Sequence, residues 1–505
     1  MVVGLVNVYL ARRLDMAGKR LNMGHLVLLC HDVPRRPSFE RMEVRSCVGC
    51  ACFRFALPFW RWSAIMSHPV NEDVSLMKKV ILSILPDFLR LRLRSSKAAK
   101  NWTSLWSAWE SSISRCAPVP AVKSLHRIIF FPADVNLITG SLGDEAMITA
   151  AIQSFEKALG RVEVEILCSD SAVEMVRARG FVPVPLPAPG QFPSFFVQHL
   201  SRVPHDAVLI LGADVLDGYY NPTTSLWRLV AADIASRCGV DVTILGASFN
   251  AKPAPQLKAA FEKLDSRVRL NIRDETSLAR LRAFAKVDAR LVADAAFSMT
   301  PGRIDKATGE WVSAQRADGR LVIGMNVHPM LIKNAGEADT RKIIEVATSA
   351  IRTVSEGRAI SWLMLPHDYR GDRGDGRCLK PMHEALVAAG DIRTHFLEGE
   401  HRAADLKAMA GLLDGVVTGR MHLAIAALGM GVPTLSLTYQ DKFEGLYRHF
   451  GLPQSLLLAP SVFDSETDLV RGLTEFVENI PQLTAIVAAK RPEVLALSER
   501  NFDLR

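Results

Sequence analysis

The sequence predicts an α/β protein with two Rossmann-like domains, each a doubly wound parallel sheet, behind a basic N-terminal extension. Three observations support this prediction. From about residue 126, short β-branched or apolar runs alternate with longer helical patterns, which is typical of parallel strands joined by crossover helices. A turn-rich stretch with few apolar residues, 301–320, separates two such series. The chain, at 505 residues, is also too long for a single hydrophobic core.

The first α/β domain is predicted over residues 126–300. Five apolar runs and a closing run are read as its strands, in chain order HRIIFFPA, VEVEILC, DAVLILGA, DVTILGA, RVRLNIR and LVADAAF. Helical patterns lie between them at 144–158, 223–237 and 275–286. This alternation is what a parallel sheet requires, because each crossover needs a helix or a long connection.

The second α/β domain is predicted over residues 321–465, after a linker at 301–320. Its strands are read from LVIGMNV, AISWLMLP, IRTHFLE, DGVVTG and VPTLSLTY. Residues 466–505 are predicted to be C-terminal helices without a chemical signature. Two doubly wound domains of similar size fit this pattern best.

The basic charge of the chain lies in its N-terminal part. Residues 1–125 hold 19 Lys and Arg against 8 Asp and Glu, whereas the remainder holds 42 against 45. This asymmetry argues against a nucleic-acid partner and leaves open a peripheral contact of the extension with the inner membrane surface.

The extension itself is divided into two segments. Residues 1–65 are expected to be disordered or to result from a start chosen upstream of Met66, and 66–125 to form a basic helical segment. Within it, 74–100 has the mixed apolar and basic pattern of an interfacial helix, and a helix packed on the body is an equal alternative.

The cysteine pattern and hydropathy set the expected environment. The cysteines show no disulfide framework, and Cys47-x-x-Cys50-x-Cys52 lacks the second ligand pair that a zinc finger needs, so no metal is predicted. No apolar run is long enough to span a bilayer, and charged residues interrupt the start of the chain. A cytoplasmic location, with membrane association left open, is therefore expected.

The segment TGRMHLAIAALGMGVPTLSLTYQDK, 418–442, is the first candidate site. It places Arg420 and His422 at the start of a helix that follows a strand, and Lys442 at the start of the next helix. Ligands of open parallel sheets bind beyond the carboxyl ends of the strands, and helix N-termini favour anions. A shared phosphate or carboxylate ligand is expected. The alternatives are a structural acid paired with Arg420 and a hydrogen-bonded core role for His422.

The first domain offers a matching set of polar side chains. Its loop ADVNLITGSLGDEA holds Asn136, Gly140 and Gly143 and ends on Asp144, which opens a helix. Asn136 and Asp144 are candidates to hydrogen-bond a sugar hydroxyl, although an acid at a helix start is also a favourable dipole partner. Further along the chain, RLNIRDETS places Arg273 just past a strand and Ser277 in the next helix.

Two histidines also follow predicted strands of the second domain. They are His328 in NVHP and His367 in LPHD, and turn-stabilising roles are expected for both.

These motifs together resemble the polysaccharide pyruvyl transferase family over roughly residues 126–460. The resemblance rests on the loop N-x(6)-GDEA at 136–146, LGADVLDG, IRDETS, ADAAF, and the block GRMHLAIAALGMGVPTLSLTYQDKFEGL at 419–446. The family typically shows Leu where this chain has Met421, and a shorter insert after the Asn that corresponds to Asn136. It implies a GT-B-like fold whose two domains face a cleft, with the acceptor side in the first domain and the donor side in the second.

The resemblance also implies a reaction. The enolpyruvyl group of phosphoenolpyruvate is placed as a cyclic pyruvate ketal on a saccharide, in exopolysaccharide or cell-surface glycan biosynthesis. Phosphoenolpyruvate is a co-substrate, no cofactor is implied, and a lipid-linked acceptor is left open.

The family motifs map onto residues of this chain. Arg273, Arg420 and Lys442 would hold the donor, with Met421 and Ser277 beside them, and Asn136 would contact the acceptor. His422 would be the acid/base group, and Asp144 is the candidate for deprotonating the acceptor.

Two other functions fit the same scaffold. One is a nucleotide-sugar-dependent GT-B glycosyltransferase, although the paired-glutamate pattern E-x(7)-E is absent around the second-domain block. The other is an inactive saccharide-binding protein that keeps the fold. The joint presence of the three cations and the histidine argues against a decayed site.

Overall fold

A computed structural model describes residues 87–118, 125–137, 142–371, 374–438 and 442–503. The predictions for residues 1–65, and for 66–86 and 119–124 of the 66–125 segment, lie outside these residues, as does Gly140. The compact unit Arg94–Arg505 contains both predicted sheets. It begins within the helix Asp87–Ile113, whose Trp109 is buried and donates through Nε1 to Asp233 at 2.8 Å.

The first sheet has seven strands, all parallel, in the order β3-β2-β1-β4-β5-β6-β7. Its strands are β1 His126–Phe131, β2 Val162–Cys168, β3 Val182–Pro185, β4 Ala207–Leu211, β5 Asp241–Ala247, β6 Arg269–Ile272 and β7 Arg290–Leu291. This order reverses between β1 and β4. In such sheets the crevice at the reversal is where ligands bind.

The second sheet has six parallel strands in the order β10-β9-β8-β11-β12-β13. They are β8 Leu321–Asn326, β9 Ile360–Met364, β10 Arg393–Phe396, β11 Gly415–Thr418, β12 Thr434–Leu437 and β13 Leu457–Leu458. The order again reverses next to the first strand, here between β8 and β11. Two doubly wound sheets of seven and six strands confirm the predicted fold class.

Helices cover the sheets as crossover connections. In chain order, the α-helices after β1 are Leu142–Leu159, Val173–Ala178, Phe192–Arg202, Pro222–Arg237, Lys258–Lys263, Glu275–Phe284, Lys306–Ala317, Glu337–Ser355, Gly376–Ala389, Ala403–Ala410, Met421–Gly429, Phe443–Phe450, Glu466–Glu478 and Ile480–Glu499. The last two lie within 466–505, where the sequence predicts C-terminal helices. The final turn packs on the first domain, where Asn501 accepts the backbone N–H of Gly246 and donates to the carbonyl of Ala293, both at 2.9 Å.

The stretch 301–320 differs from its description as a turn-rich linker. It contains the helix Lys306–Ala317, which begins after Asp305 caps the backbone N–H of Thr308 at 2.9 Å. Trp311 stacks on His395, and Val312 is buried. The helix was missed because its few apolar residues lie among Gly and polar residues, while its stability comes from this cap and from packing on β10.

Two strands were also missed, and both are short or irregular. β3 has the sequence VPVP, and proline cannot donate a ladder hydrogen bond, so it fits only at a sheet edge, which is where β3 lies. β13 has two residues and gives no periodic signal.

Candidate active site

The candidate residues lie at the carboxyl ends of strands, next to the point where the strand order of each sheet reverses. Asp144 follows β1, Asp214 follows β4, and Arg420 and His422 follow β11, so all four lie at the carboxyl ends of strands beside a reversal of strand order. Contacts between these segments show that the two domains meet here.

Arg273 is buried at the end of β6 and is held in a fixed orientation. Its Nε donates to Ser248 Oγ at 2.7 Å and its Nη1 to Asp294 Oδ2 at 2.8 Å. Its carbonyl accepts from His449 Nε2, on the helix Phe443–Phe450 of the second domain, at 2.8 Å. Within the residues that the structure describes, Nη2 of Arg273 donates no hydrogen bond.

Lys442 joins the two domains across the cleft. Its Nζ donates to Asp214 Oδ2, which also accepts from the hydroxyl of Tyr220 at 2.8 Å. Burial raises the pKa of Asp214, but the charge of Lys442 and its hydrogen bond outweigh burial, so the pKa of Asp214 lies below its ordinary value. The lysine is therefore a paired cation at the start of a helix, close to the boundary between the domains.

His422 lies where the first domain touches the second. A methyl group added at Gly143, in the first turn of the helix Leu142–Leu159, would stand 2.3 Å from Nδ1 of the imidazole. The opposite nitrogen, Nε2, is buried without a hydrogen-bond partner among the described residues and lies 3.9 Å from Asp294 Oδ2. The ring thus fits between a glycine that leaves room for it and a carboxylate that stabilises its protonated form.

The charge state of His422 is set by competing effects. Burial lowers the pKa of His422 below 6.5, Asp294 opposes this shift, and Arg273 and Lys442 add to it. The pKa of Asp294 moves below its usual range, because the charges of His422 and Arg273 outweigh its burial. An additional anion beside the ring would favour the imidazolium form.

Asp144 is buried on the first-domain side of the cleft. Burial raises its pKa to about 7, the charge of Asp214 adds to the shift, and Arg228 opposes it. A carboxylate with this pKa suits general base catalysis near neutral pH. Asn136 is exposed in the same loop, where its backbone and side-chain nitrogens donate to Asp134 at 2.9 and 3.2 Å.

Arg420 is bound by two acids of its own domain. Its Nε and Nη2 donate to Asp375 Oδ1 at 2.9 and 2.6 Å, and its Nη1 lies 3.1 Å from Asp368 Oδ2. This is the structural pairing that the sequence left open as an alternative. Donor binding by its guanidinium remains a prediction, while its backbone caps the helix Met421–Gly429.

The two histidines after β8 and β9 are buried. His328 Nε2 lies 3.2 Å from the carbonyl of Gly419, in agreement with a turn-stabilising role. The backbone N–H of His367 donates to Asp375 at 2.8 Å, and burial lowers the pKa of its imidazole to about 3.

A pocket opens between the domains beside these groups. It is lined by Arg273, Asp274, Asp294, Phe297, Met421, Lys442, Leu446 and His449. Arg273, Lys442 and Met421 at the start of its helix line this pocket, whereas Arg420 and His422, which were expected to converge with them, are not among the lining residues. Ser277 is buried and does not line the pocket. Its Oγ donates to Asp274 at 2.7 Å and accepts the backbone N–H of Phe249 at 2.9 Å.

The convergence depends on one helix contact. Gly445 packs so tightly on Asp274 that an added methyl group would lie 2.4 Å from its Cβ, and Arg448 donates to Thr276 Oγ1. The motif IRDETS of the first domain and KFEGL of the second are thus two sides of one interface. Asp214, Asp294 and His449 were not predicted as functional residues, although the first two lie in strand-end motifs that the sequence already marks.

One group of side chains in the described ranges has the composition of a metal site. It consists of Glu165, His199 and His205. The carboxylate accepts from His199 Nε2 at 2.7 Å and from His205 Nε2 at 3.1 Å. These residues do not line the pocket between the domains.

Two doubly wound domains thus face each other, with cationic, carboxylate and imidazole side chains at the strand ends between them. The family model for polysaccharide pyruvyl transferases matches residues 142–441, which is more than half of the chain. The chain therefore belongs to the polysaccharide pyruvyl transferase family and is a transferase. No curated protein matches it significantly in sequence.

Solved structures share a broad likeness with the chain. A Staphylococcus aureus MnaA–UDP complex is 13% identical with a TM-score of 0.48, covering 74% of this chain and 94% of its own. A Neisseria meningitidis UDP-GlcNAc 2-epimerase bound to UDP-GlcNAc is 12% identical with a TM-score of 0.46, covering 74% and 98%. Anabaena HepE in complex with UDP and glucose is 13% identical with a TM-score of 0.43, covering 75% and 96%.

None of the described helices is long and apolar enough to cross a membrane.

Proposed function

We propose that the cleft binds phosphoenolpyruvate and transfers its enolpyruvyl carbons to two hydroxyls of a saccharide as a cyclic ketal. The observation that carries this proposal is the convergence of Arg273, Lys442 and the start of the helix Met421–Gly429 on one pocket, with His422 next to it. A donor with a carboxylate and a phosphate on three carbons needs a small cationic pocket with free helix N–H groups.

The pocket is narrow in this structure: its cavity volume is about 10 Å³, which is room for about one water molecule. Side chains around it would have to move to admit either phosphoenolpyruvate or a nucleotide sugar, so the proposal rests on the charges of the lining groups and not on the size of the pocket. Phosphoenolpyruvate would accept hydrogen bonds from Arg273 Nη2 and from Lys442. The hydrogen bond from Lys442 to Asp214 would weaken as a result.

The acid/base groups support a two-step mechanism. The anionic donor raises the pKa of His422, and the imidazolium protonates the methylene carbon while the first acceptor hydroxyl attacks the adjacent carbon and passes its proton to Asp144. The C–O bond to phosphate then breaks, and the second hydroxyl closes the ketal and returns a proton to the imidazole. Asp144 returns its proton to the departing phosphate, so the cycle ends with both residues in their starting states.

Acceptor-dependent phosphate release tests the proposal. The full-length protein, supplied with phosphoenolpyruvate and a saccharide extract of its source, should release phosphate and produce a saccharide with a new ketal methyl signal in the NMR spectrum. Transfer of a sugar from a UDP-sugar by the same preparation, without phosphate release from phosphoenolpyruvate, would instead establish the glycosyltransferase alternative.

A further inference from the structure

The loop after β4 holds two neighbouring tyrosines in water. Tyr219 and Tyr220 are 55% and 56% exposed, and their rings meet edge to face with centroids 5.2 Å apart. The other large apolar side chains of comparable exposure in the described residues are scattered singly along the chain. An exposed apolar pair of this kind is typical of a binding surface, because leaving it in water is unfavourable.

The loop that carries the pair is fixed on its N-terminal side. The buried carboxylate of Asp217 accepts the backbone N–H of Tyr219 at 2.9 Å and two N–H groups of Asn250, both at 2.7 Å. Gly218 has a φ of +77°, and a methyl group there would lie 2.7 Å from Ala254 Cβ. The residue before the tyrosines must therefore be glycine. The hydrogen bonds of Asp217 fix the turn from its buried side.

The C-terminal side is fixed as well. Asn221 caps the helix Pro222–Arg237 by accepting the backbone N–H of Thr223 at 3.0 Å. A loop whose backbone is held on both sides presents its rings with less loss of backbone conformational entropy on binding.

The position of the pair connects it with the active site. The hydroxyl of Tyr220 donates to Asp214 Oδ2 at 2.8 Å, and the same oxygen accepts from Lys442 of the pocket. The pair lies on the first domain, on the same side of the cleft as Asp144, the candidate base for the acceptor hydroxyl. A ligand stacked on the ring of Tyr220 would therefore lie close to Asp214, the carboxylate that contacts Lys442.

We propose that Tyr219 and Tyr220 form the platform on which a sugar ring of the acceptor stacks. This inference rests on the proposed function and assigns its acceptor subsite. A pyranose has an apolar C–H face that packs on an aromatic ring, and hydroxyls at its rim that reach polar groups such as Asp214. The tyrosines bind and orient the acceptor, while the reaction itself takes place at His422 and Asp144.

Saturation-transfer NMR on the full-length protein tests the platform without turnover. The probes are methyl β-D-galactopyranoside, methyl β-D-glucopyranoside and methyl α-D-mannopyranoside. At least one probe should receive saturation at its ring C–H protons, with affinity reduced at least about fivefold in Tyr219→Ala and Tyr220→Ala. Tyr220→Phe, which keeps the ring, should retain most of the affinity. Val387→Ala, at an equally exposed apolar residue on the helix Gly376–Ala389, should match the wild type.

Several results would overturn the platform. They are equal saturation transfer in the Tyr→Ala variants, no saturation transfer from the wild type to any of the three probes, and tyrosine-dependent binding to anionic phospholipid vesicles in place of the sugars. Thermal shifts with phosphoenolpyruvate on the same proteins separate this inference from the proposed function. Tyrosine-dependent sugar binding without stabilisation by phosphoenolpyruvate would leave the platform standing and contradict the donor assignment.

Discussion

Replacing Gly143 by alanine tests the contact between the domains at the imidazole. The new methyl group would lie 2.3, 2.6 and 2.8 Å from three atoms of the His422 ring. Ordinary contacts to a methyl carbon begin near 3.4 Å, so the ring or the helix start must move by about 1 Å. Forcing an extra methyl group into a packed site costs about 1–3 kcal/mol, and a displacement of this size lowers the rate by about 100-fold.

The steric origin of the effect is measured by combining two substitutions. In the wild-type background, Gly143→Ala should lower the free energy of unfolding by about 1–3 kcal/mol. In the His422→Ala background the methyl group meets no ring, and alanine in a helix should be neutral or stabilising by up to about 1 kcal/mol. Thermal unfolding is measured for the wild type, the two single variants and the double variant. The difference between the two effects of Gly143→Ala is the coupling free energy between the methyl group and the ring.

A matched control is available in another helix. Gly376 begins the helix Gly376–Ala389, and a methyl group there meets no atom within 4 Å, so Gly376→Ala should leave unfolding and turnover near the wild type. If Gly143→Ala changes stability by the same amount with and without the imidazole, the ring does not lie against the glycine. The assignment of His422 to this face of the cleft would then be refuted.

Three further predictions concern the charged groups. Arg420→Ala leaves Asp375 and Asp368 as buried acids without this cation, so urea unfolding should show a loss of about 3–5 kcal/mol; weaker donor binding at unchanged stability would contradict the pairing. Asp144 ionises at about pH 7 when folded and near 3.8 when unfolded, so its ionisation disfavours the folded state increasingly from pH 4 to 7. Asp144→Asn should then raise the free energy of unfolding at pH 8 by on the order of 4 kcal/mol and leave it unchanged at pH 3.5. An equal increase at both pH values would argue against the raised pKa of Asp144. His422→Ala should reduce acceptor-dependent phosphate release by about 100- to 10,000-fold and keep most of the affinity for phosphoenolpyruvate; in the wild type, kcat/KM should fall as pH rises through the lowered pKa of His422. An active His422→Ala enzyme would refute the acid role.

The regular parts of the fold were predictable because they depend on local pattern. β2 and β5 agree with their predicted runs to the residue, since buried parallel strands are continuous apolar runs bounded by turns. The helix Lys306–Ala317 was not predicted, because its stability comes from a cap and from packing on another strand. β3 was hidden by its two prolines.

The positions of the cationic side chains at the site could be predicted from the sequence, whereas the residues that pair with them could not. The strand-end rule located Arg273, His422 and Lys442, because it concerns position along the chain. The pairing of Arg420 with Asp375 and Asp368 joins residues from separate loops, and no local pattern identifies it. The contact of Gly143 with His422 connects different domains and likewise needs the assembled structure.

Calorimetric titration with phosphoenolpyruvate tests the central claim, that the cleft holds this donor between Arg273 and Lys442. The wild type should bind one equivalent, and Lys442→Ala should weaken binding about 10- to 150-fold, since a hydrogen bond to a charged group contributes about 1.5–3 kcal/mol. Saturable binding of a UDP-sugar with no heat from phosphoenolpyruvate, or equal affinity in Lys442→Ala, would contradict the claim.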